Sequence, residues 1–294
     1  MRTTLVGTTS LLLALVLPST APAAAPGPND WQLVGEGITS GISGIAVADC
    51  ERGPADAIIV RDNKKPGENR AARVSLRHGR VTHVQPLNWN GDFPVDLEAI
   101  DSIPSSPGEF VALASSGRAF HIQAERHAVT VLGAVSLPHG ADGDNYEGFA
   151  LASIAGRLVA VWADRGQDDR PATVYAAEFD AQHLRFGTPQ SQPFRAPFPT
   201  AHVRHASDLK VFGDGRIVVS SASDPGDDGP FESAIYVAGT VRLDGDALRL
   251  TTERAPKKLA EFPSHKVEAL TAYDHGLLLG TDDENAGGSL RFGS

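Results

Sequence analysis

The sequence predicts an all-β chain folded as a five-bladed β-propeller, and three observations carry that reading. Five segments open alike: ISGIAVA (42–48), LEAIDSI (97–103), YEGFALA (146–152), ASDLKVF (206–212) and VEALTAY (267–273). Each is followed about ten residues on by a second apolar run, and in the first four units by two more strand-like stretches. No segment sustains the apolar period of a long helix, which removes α/β architectures. Four short strands per unit, repeated in series, are the signature of a propeller.

The first unit continues with AIIVRD (57–62), ARVSL (72–76) and RVTHVQPL (80–87), the last two joined at Arg77-His78-Gly79. The second has EFVALASS (109–116), RAFHIQ (118–123) and AVTVLGAV (128–135). The third has RLVAVWAD (157–164), ATVYAAEF (172–179) and HLRFG (183–187). The fourth has RIVVSSAS (216–223), SAIYVAGTVRL (233–243) and ALRLTT (247–252), with turn signals at Gly213-Asp214-Gly215 and Leu243-Asp244-Gly245-Asp246. The second residues of the opening segments are Ser43, Glu98, Glu147, Ser207 and Glu268, spaced by 55, 49, 60 and 61 residues. Such spacings vary as loop lengths do.

The fifth unit holds VEALTAY, LLLGTDD (277–283) and one further short run, so it is a strand short. An open ring would leave unpaired strand edges. WQLVGEG (31–37) precedes the first unit and belongs to none of its four strands, so it is predicted to be the outer strand of the last blade. A six-bladed ring is the alternative, and it requires a loop to be split into a further unit.

Ahead of that strand, Arg2, an apolar run from Leu5 to Leu17, and Ala21-Pro22-Ala23 have the three-part layout of a secretory signal peptide over 1–23. The expectation is an exported, secreted protein with one propeller domain over 24–294. The apolar run falls short of the ~20 residues of a membrane-spanning helix, so no membrane insertion is expected. Formal charge is −10, and loss of the segment whose one charged residue is Arg2 takes it to −11. The absence of a basic stripe or Lys/Arg block argues against nucleic acid and anionic membranes, and no nucleic-acid partner is expected. A single cysteine, Cys50, allows no internal disulfide and no thiolate cluster. It reads as a small buried residue at a strand end, with a nucleophile as the alternative. The chain is expected to act as a monomer.

In an antiparallel blade, the start of the first strand and the end of the second share one rim. The long polar connections open there too, among them DNKKPGENR (62–70), DRGQDDRP (164–171), SDPGDDGPFES (223–233) and DDENAGGS (282–289). Binding and catalytic groups gather on such loop-rich rims. Glu98, Glu147 and Glu268 begin innermost strands there, Asp62, Asp164 and Asp283 (or Asp282) end second strands, and Asp208 is a near-match beside Ser207. Converging carboxylates must bind protons, cationic side chains or a metal. Seven acids in this arrangement suit a hard ion such as Ca²⁺, which takes six to eight oxygens. His205, His265 and Arg165 are the candidate catalytic groups beside them, with Arg204, Lys64 and Lys266 as further positive charge. The competing reading is structural: the acids pair with Arg165, Lys266 or His205, or bond backbone amides at strand ends.

Other motifs are weak. DGDNYEG (142–148) and DPGDDG (224–229) lack the spacing of a calcium loop, and GISGI (41–45) fails as a nucleophile elbow. Ser115-Ser116-Gly117 reads as a tight turn. Trp89 and Phe93, in NWNGDFPVD (88–96), either wall a ligand pocket at the rim or pack between blades.

The EA and EG blade openings and the strand-ending aspartates resemble the secreted phytase-like, esterase-like propeller domains. An axial Glu that opens a blade is also similar to the gluconolactonase-type calcium hydrolases. The resemblance implies a divalent-metal-dependent hydrolase of phosphoesters, esters or lactones. The alternative is a non-catalytic extracellular propeller that binds a carbohydrate, peptide or protein partner. In either case a small-molecule or carbohydrate ligand at the rim is expected.

Overall fold

The computed structural model describes residues 27, 30–48, 55–104, 106–138 and 140–293. The predicted export signal (1–23) and Cys50 lie outside the described residues.

The chain is a β-propeller built from antiparallel four-stranded meanders. The first comprises Gly44–Val47, Ala55–Val60, Ala71–Arg77 and Arg80–Asn90. The second comprises Leu97–Ser102, Glu109–Ala114, Arg118–Ala124 and Ala128–Ser136. The fourth comprises Val203–Val211, Arg216–Ser223, Glu232–Asp244 and Ala247–Pro263. Between them, the third places Tyr146–Ile154 innermost, then Arg157–Asp164 and Ala172–Asp180. The fifth runs Val267–Tyr273, Gly276–Thr281 and Gly288–Gly293, and its outer strand is the N-terminal Gln32–Gly35. No sixth meander occurs among the described residues.

The closing strand pairs Gln32 with Leu290, Leu33 with Ser289 and Gly35 with Gly288, antiparallel. Gln32 also reaches the first meander, where its Nε2 donates to the Gly79 carbonyl and its Oε1 accepts from the Val81 amide, both at 2.9 Å. One side chain therefore clasps the last meander to the first. Trp31 stays outside the strand and packs edge-on against Phe262.

Packing explains why the innermost segments read as continuous apolar runs. Every residue of Gly44–Val47 is buried, as are all but the last of Leu97–Ser102. Innermost strands contact one another in cyclic order, the fifth touching the first. The core is correspondingly divided into five apolar clusters, one between each successive pair of meanders. Gly44 shows why a small residue follows the polar one: a Cβ there would lie 2.8 Å from Cα of Ala99 on the neighbouring innermost strand. Asn88–Asn90 pair in parallel with Ala128–Thr130, which joins the first two meanders into one eight-stranded sheet.

The third meander departs from the sequence reading. HLRFG contributes only Arg185–Phe186 to pairing, and the main outer strand is Gln190–Phe194 against Ala172–Ala176. Leu184 has φ of +49°, which breaks an extended strand. Phe186 instead folds over the core, with its ring 4.6 Å from that of Phe179. The outer strand of the fourth meander likewise runs past Thr252 to Pro263. No described helix is long and apolar enough to cross a membrane.

Candidate functional site

Each of the three glutamates occupies a β-bulge. Leu97 pairs with Ala114 and Ala99 with Leu113, so Glu98 is an extra residue on its strand. Glu147 is skipped in the same way between Tyr146 and Gly148, and Glu268 between Val267 and Ala269. The fourth meander has a wider irregularity between Arg204 and Asp208, which contains Ser207. A bulge re-aims a side chain and interrupts the ladder, and bulges concentrate beside active sites. All three glutamates are nonetheless buried.

Cations from the third, fourth and fifth meanders sit among them. Arg204 Nη1 lies 3.0 Å from Glu268 Oε1 and 3.7 Å from Glu147 Oε2, and its Nη2 is 2.5 Å from Asp224 Oδ2. Arg165 Nη1 donates to the other Glu147 oxygen at 3.3 Å. Lys266, 1% exposed, places Nζ 2.5 Å from Glu284 Oε1 and 3.4 Å from Glu268 Oε1. Burial opposes the charge on Arg204, but Glu147, Glu268 and Asp224 outweigh it and raise its pKa well above the usual value. Lys266 is raised for the same reason, with Glu268 the largest charge acting against its burial.

Glu98 differs from the other two. Its carboxyl group has no side-chain hydrogen bond or ion pair among the described residues. Burial, reinforced by Glu147, Asp96, Asp62 and Glu268, lifts its pKa well above the carboxylate range. Glu268 is pushed up to about 7, because burial outweighs Lys266 and Arg204. Ser207 Oγ is buried at the matching position of the fourth meander, with no hydrogen-bond partner among the described residues.

The remaining predicted site residues have separate placements. Asp62 lies in the same field: burial raises its pKa, with Asp96 and Glu284 adding and Lys64 and Lys266 opposing. Asp164 is held by Arg170 at 2.5 Å and by the amides of Asn145 and Gly166. Asp208 accepts from the Leu270 amide at 2.6 Å, joining the fourth innermost strand to the fifth. Asp101 does the same between the second and third through the Leu151 amide at 2.8 Å, with Lys210 Nζ 2.6 Å away. Asp283 is engaged by the Lys266 amide at 2.7 Å and by His265 Nδ1 at 2.8 Å. Its neighbour Asp282 is the one that shares the field of Glu268, Lys266 and Asp62, its pKa raised chiefly by burial.

His205 uses both ring nitrogens structurally, Nε2 donating to the Asp168 carbonyl at 2.7 Å and Nδ1 accepting from the Ala196 amide at 3.2 Å. His265 stacks on Trp31 with centroids 4.5 Å apart. Of the three candidate catalytic groups, Arg165 alone touches an axial glutamate. Asp224 and Glu284 were not singled out in the sequence. Both sit in the long polar rim loops 223–233 and 282–289, and nothing local distinguishes them from neighbouring acids.

The seven acids do not fit a Ca²⁺ site. Among the described residues, no three or more His, Cys, Asp or Glu side chains are grouped to hold a metal. Arg204 bridges Glu147 and Glu268, and Asp164, Asp208 and Asp283 are held by partners of their own.

Neither a protein-family model nor a curated protein matches the sequence. Solved structures do match in fold, and glycoside hydrolases are among them. The α-L-arabinofuranosidase PaAbf62A from Podospora anserina, in complex with cellotriose, is 10% identical, with 90% of this chain and 97% of that one covered and a TM-score of 0.51. A structure titled glycoside hydrolase is 7% identical, covering 90% of this chain and 61% of that one at a TM-score of 0.54. The GH43 protein BlXynB from Bacillus licheniformis is 15% identical over 75% of this chain, at a TM-score of 0.45, and this chain spans 45% of its length. The two likenesses with TM-scores above 0.5 support the propeller fold. The resemblance to phytase-like propellers finds no support among them.

Proposed function

We propose that the axial cluster is the active site of a carbohydrate hydrolase that cleaves a glycosidic bond by general acid–base chemistry. The observation that carries this reading is the contrast between Glu98 and Glu268. One buried carboxyl group forms no ion pair among the described residues and is driven towards its protonated form. The other lies between Arg204 and Lys266 and titrates at about 7. A difference in surroundings between two carboxyl groups is what an acid–base pair requires.

In the reaction, Glu98 gives its proton to the leaving-group oxygen as the C–O bond breaks. Glu268 takes a proton from the water whose oxygen bonds to the anomeric carbon. Arg204 and Lys266 stabilise the carboxylate form of Glu268, and Arg165 with Arg204 orients Glu147. The orphaned Ser207 Oγ supplies a hydrogen-bonding position for a sugar hydroxyl or the water. The fold shared with glycoside hydrolases supports the substrate class.

The test is hydrolysis of a panel of 4-nitrophenyl glycosides, including arabinofuranoside, xyloside and galactoside. Turnover of at least one is expected, with Glu98→Gln lowering kcat about 10²–10⁴-fold while binding persists. Wild-type protein that binds a saccharide but hydrolyses none reduces the site to a binding site. Protein that neither binds nor hydrolyses any saccharide overturns the reading.

A further inference from the structure

An exposed aromatic ring stands on the same rim as Glu98. The connection from Arg80–Asn90 into Leu97–Ser102 carries Phe93 and Val95, which are 51% and 54% exposed. Large apolar side chains set side by side in water call for an explanation. This pair borders a groove of ≈ 390 Å³ that also includes Asp92, Arg118 and Phe120, within the range of ligand pockets, about 300–1,000 Å³.

The ring is held from behind. The Arg70 guanidinium carbon lies 4.6 Å from the Phe93 centroid, and the Arg70 side chain is 1% exposed. Its three nitrogens donate to the carbonyls of Pro94, Glu68 and Lys65, each at 3.0 Å. A buried arginine thus spends its hydrogen bonds on loop carbonyls and supports the ring by a cation–π contact. The loop is also pinned by the Trp89 indole N–H, which donates to the Asp92 carbonyl at 2.9 Å. Beside the ring, Arg118 Nη2 and Asp92 Oδ2 stand 3.1 Å apart, both well exposed.

We propose that Phe93 is a stacking platform for a sugar unit of an extended saccharide, with Arg118 and Asp92 binding its hydroxyl groups. A sugar ring has an apolar C–H face and a polar edge, which match a flat ring bordered by one donor and one acceptor. The groove lies along the strands whose rim ends flank Glu98: Glu109–Ala114 ends there, and Arg118–Ala124 begins there. Asp96, held by Ser115 Oγ at 2.5 Å and Lys64 Nζ at 3.0 Å, lies between Phe93 and Glu98 along the chain. The substrate is therefore an oligosaccharide or polysaccharide running outwards from the axis. This inference rests on the carbohydrate reading of the axial site.

The experiment compares wild type, Phe93→Ala and Phe93→Leu for affinity towards arabinoxylan, galactan and cellohexaose, by affinity electrophoresis and calorimetry. Phe93→Leu keeps apolar bulk but removes the flat face, and melting curves verify that each variant is folded. Both variants are expected to bind the best wild-type ligand about tenfold more weakly. Variants that bind as tightly as the wild type overturn the platform and leave the axial reading standing. A wild type that hydrolyses a 4-nitrophenyl glycoside but binds none of the three overturns the platform alone, and one that neither binds nor hydrolyses any saccharide overturns both.

Discussion

Arg204 and Glu268 meet at 3.0 Å between Nη1 and Oε1, joining the irregular segment of the fourth innermost strand to the bulge of the fifth. The same Nη1 lies 3.7 Å from Glu147 on the third, so one guanidinium bridges carboxylates from two meanders. Removing it leaves Glu147 with Arg165 and Glu268 with Lys266 as their remaining cations, with the shared bridge lost. Arg204→Leu is expected to cost about 3–5 kcal/mol of stability, read from the denaturant midpoint. Arg204→Leu combined with Glu147→Gln and Glu268→Gln should recover most of that loss. A single Arg204→Leu variant as stable as the wild type would show the bridge to be dispensable.

Stability should fall as pH rises through neutrality. Glu268 binds its proton up to about 7 in the folded chain, well above the ordinary value of 4.5, and burial raises Glu98 in the same direction. Between the unfolded and folded pKa values the native state carries more protons, so rising pH favours unfolding. The slope is at most about 1.4 kcal/mol per pH unit for each group. Urea melts from pH 5 to 8 should show this decline, and Glu98→Gln and Glu268→Gln should each flatten it. A wild-type profile that climbs over that range contradicts the assignment.

The pH–rate profile supplies a second reading of the same pair. Activity towards a 4-nitrophenyl glycoside should rise with pH through about 7, as Glu268 loses its proton. It should fall again where Glu98 ionises. Glu268→Gln should remove the acidic limb together with most of the rate. An acidic limb that survives the substitution would assign the base to another group.

With a guanidinium between Glu147 and Glu268, added calcium has no vacant carboxylate set to enter. Millimolar Ca²⁺ or EDTA is therefore expected to leave the melting temperature unchanged. A metal that binds the folded form raises it by mass action, about 2.7 kcal/mol at a hundredfold excess over Kd. A clear calcium-dependent rise would restore the metal reading of these acids.

Gln32 tests ring closure. It is 6% exposed and makes one donated and one accepted hydrogen bond to the first meander. Gln32→Ala leaves the Val81 amide and the Gly79 carbonyl without those partners, and should cost about 1–3 kcal/mol. Hydrogen exchange should quicken first along Gly288–Gly293, the strand whose outer edge it covers.

The repeat rhythm was legible because strand patterning is local. Segments such as Val267–Tyr273 must be apolar on both faces wherever they lie between neighbouring strands. The missing strand of the fifth unit, and Trp31–Gly37 as its replacement, followed from counting. HLRFG misled because Leu184 adopts a positive φ and Phe186 is drawn onto the core, and neither event leaves a mark in a hydropathy pattern. Asp282 and Asp283 are adjacent and chemically alike, yet one faces the axis field and the other a histidine.

By itself the sequence determined the propeller class, the closing strand and the placement of three glutamates at the start of innermost strands. All of these depend on residue type and spacing within some sixty residues of chain. The tertiary structure decided which acids are paired, which is left alone, and that each glutamate rides on a bulge. Those outcomes depend on contacts such as Arg204 with Glu268, 64 residues apart. Charge compensation is settled by distance in space and by burial, and neither is written in the order of residues along a strand.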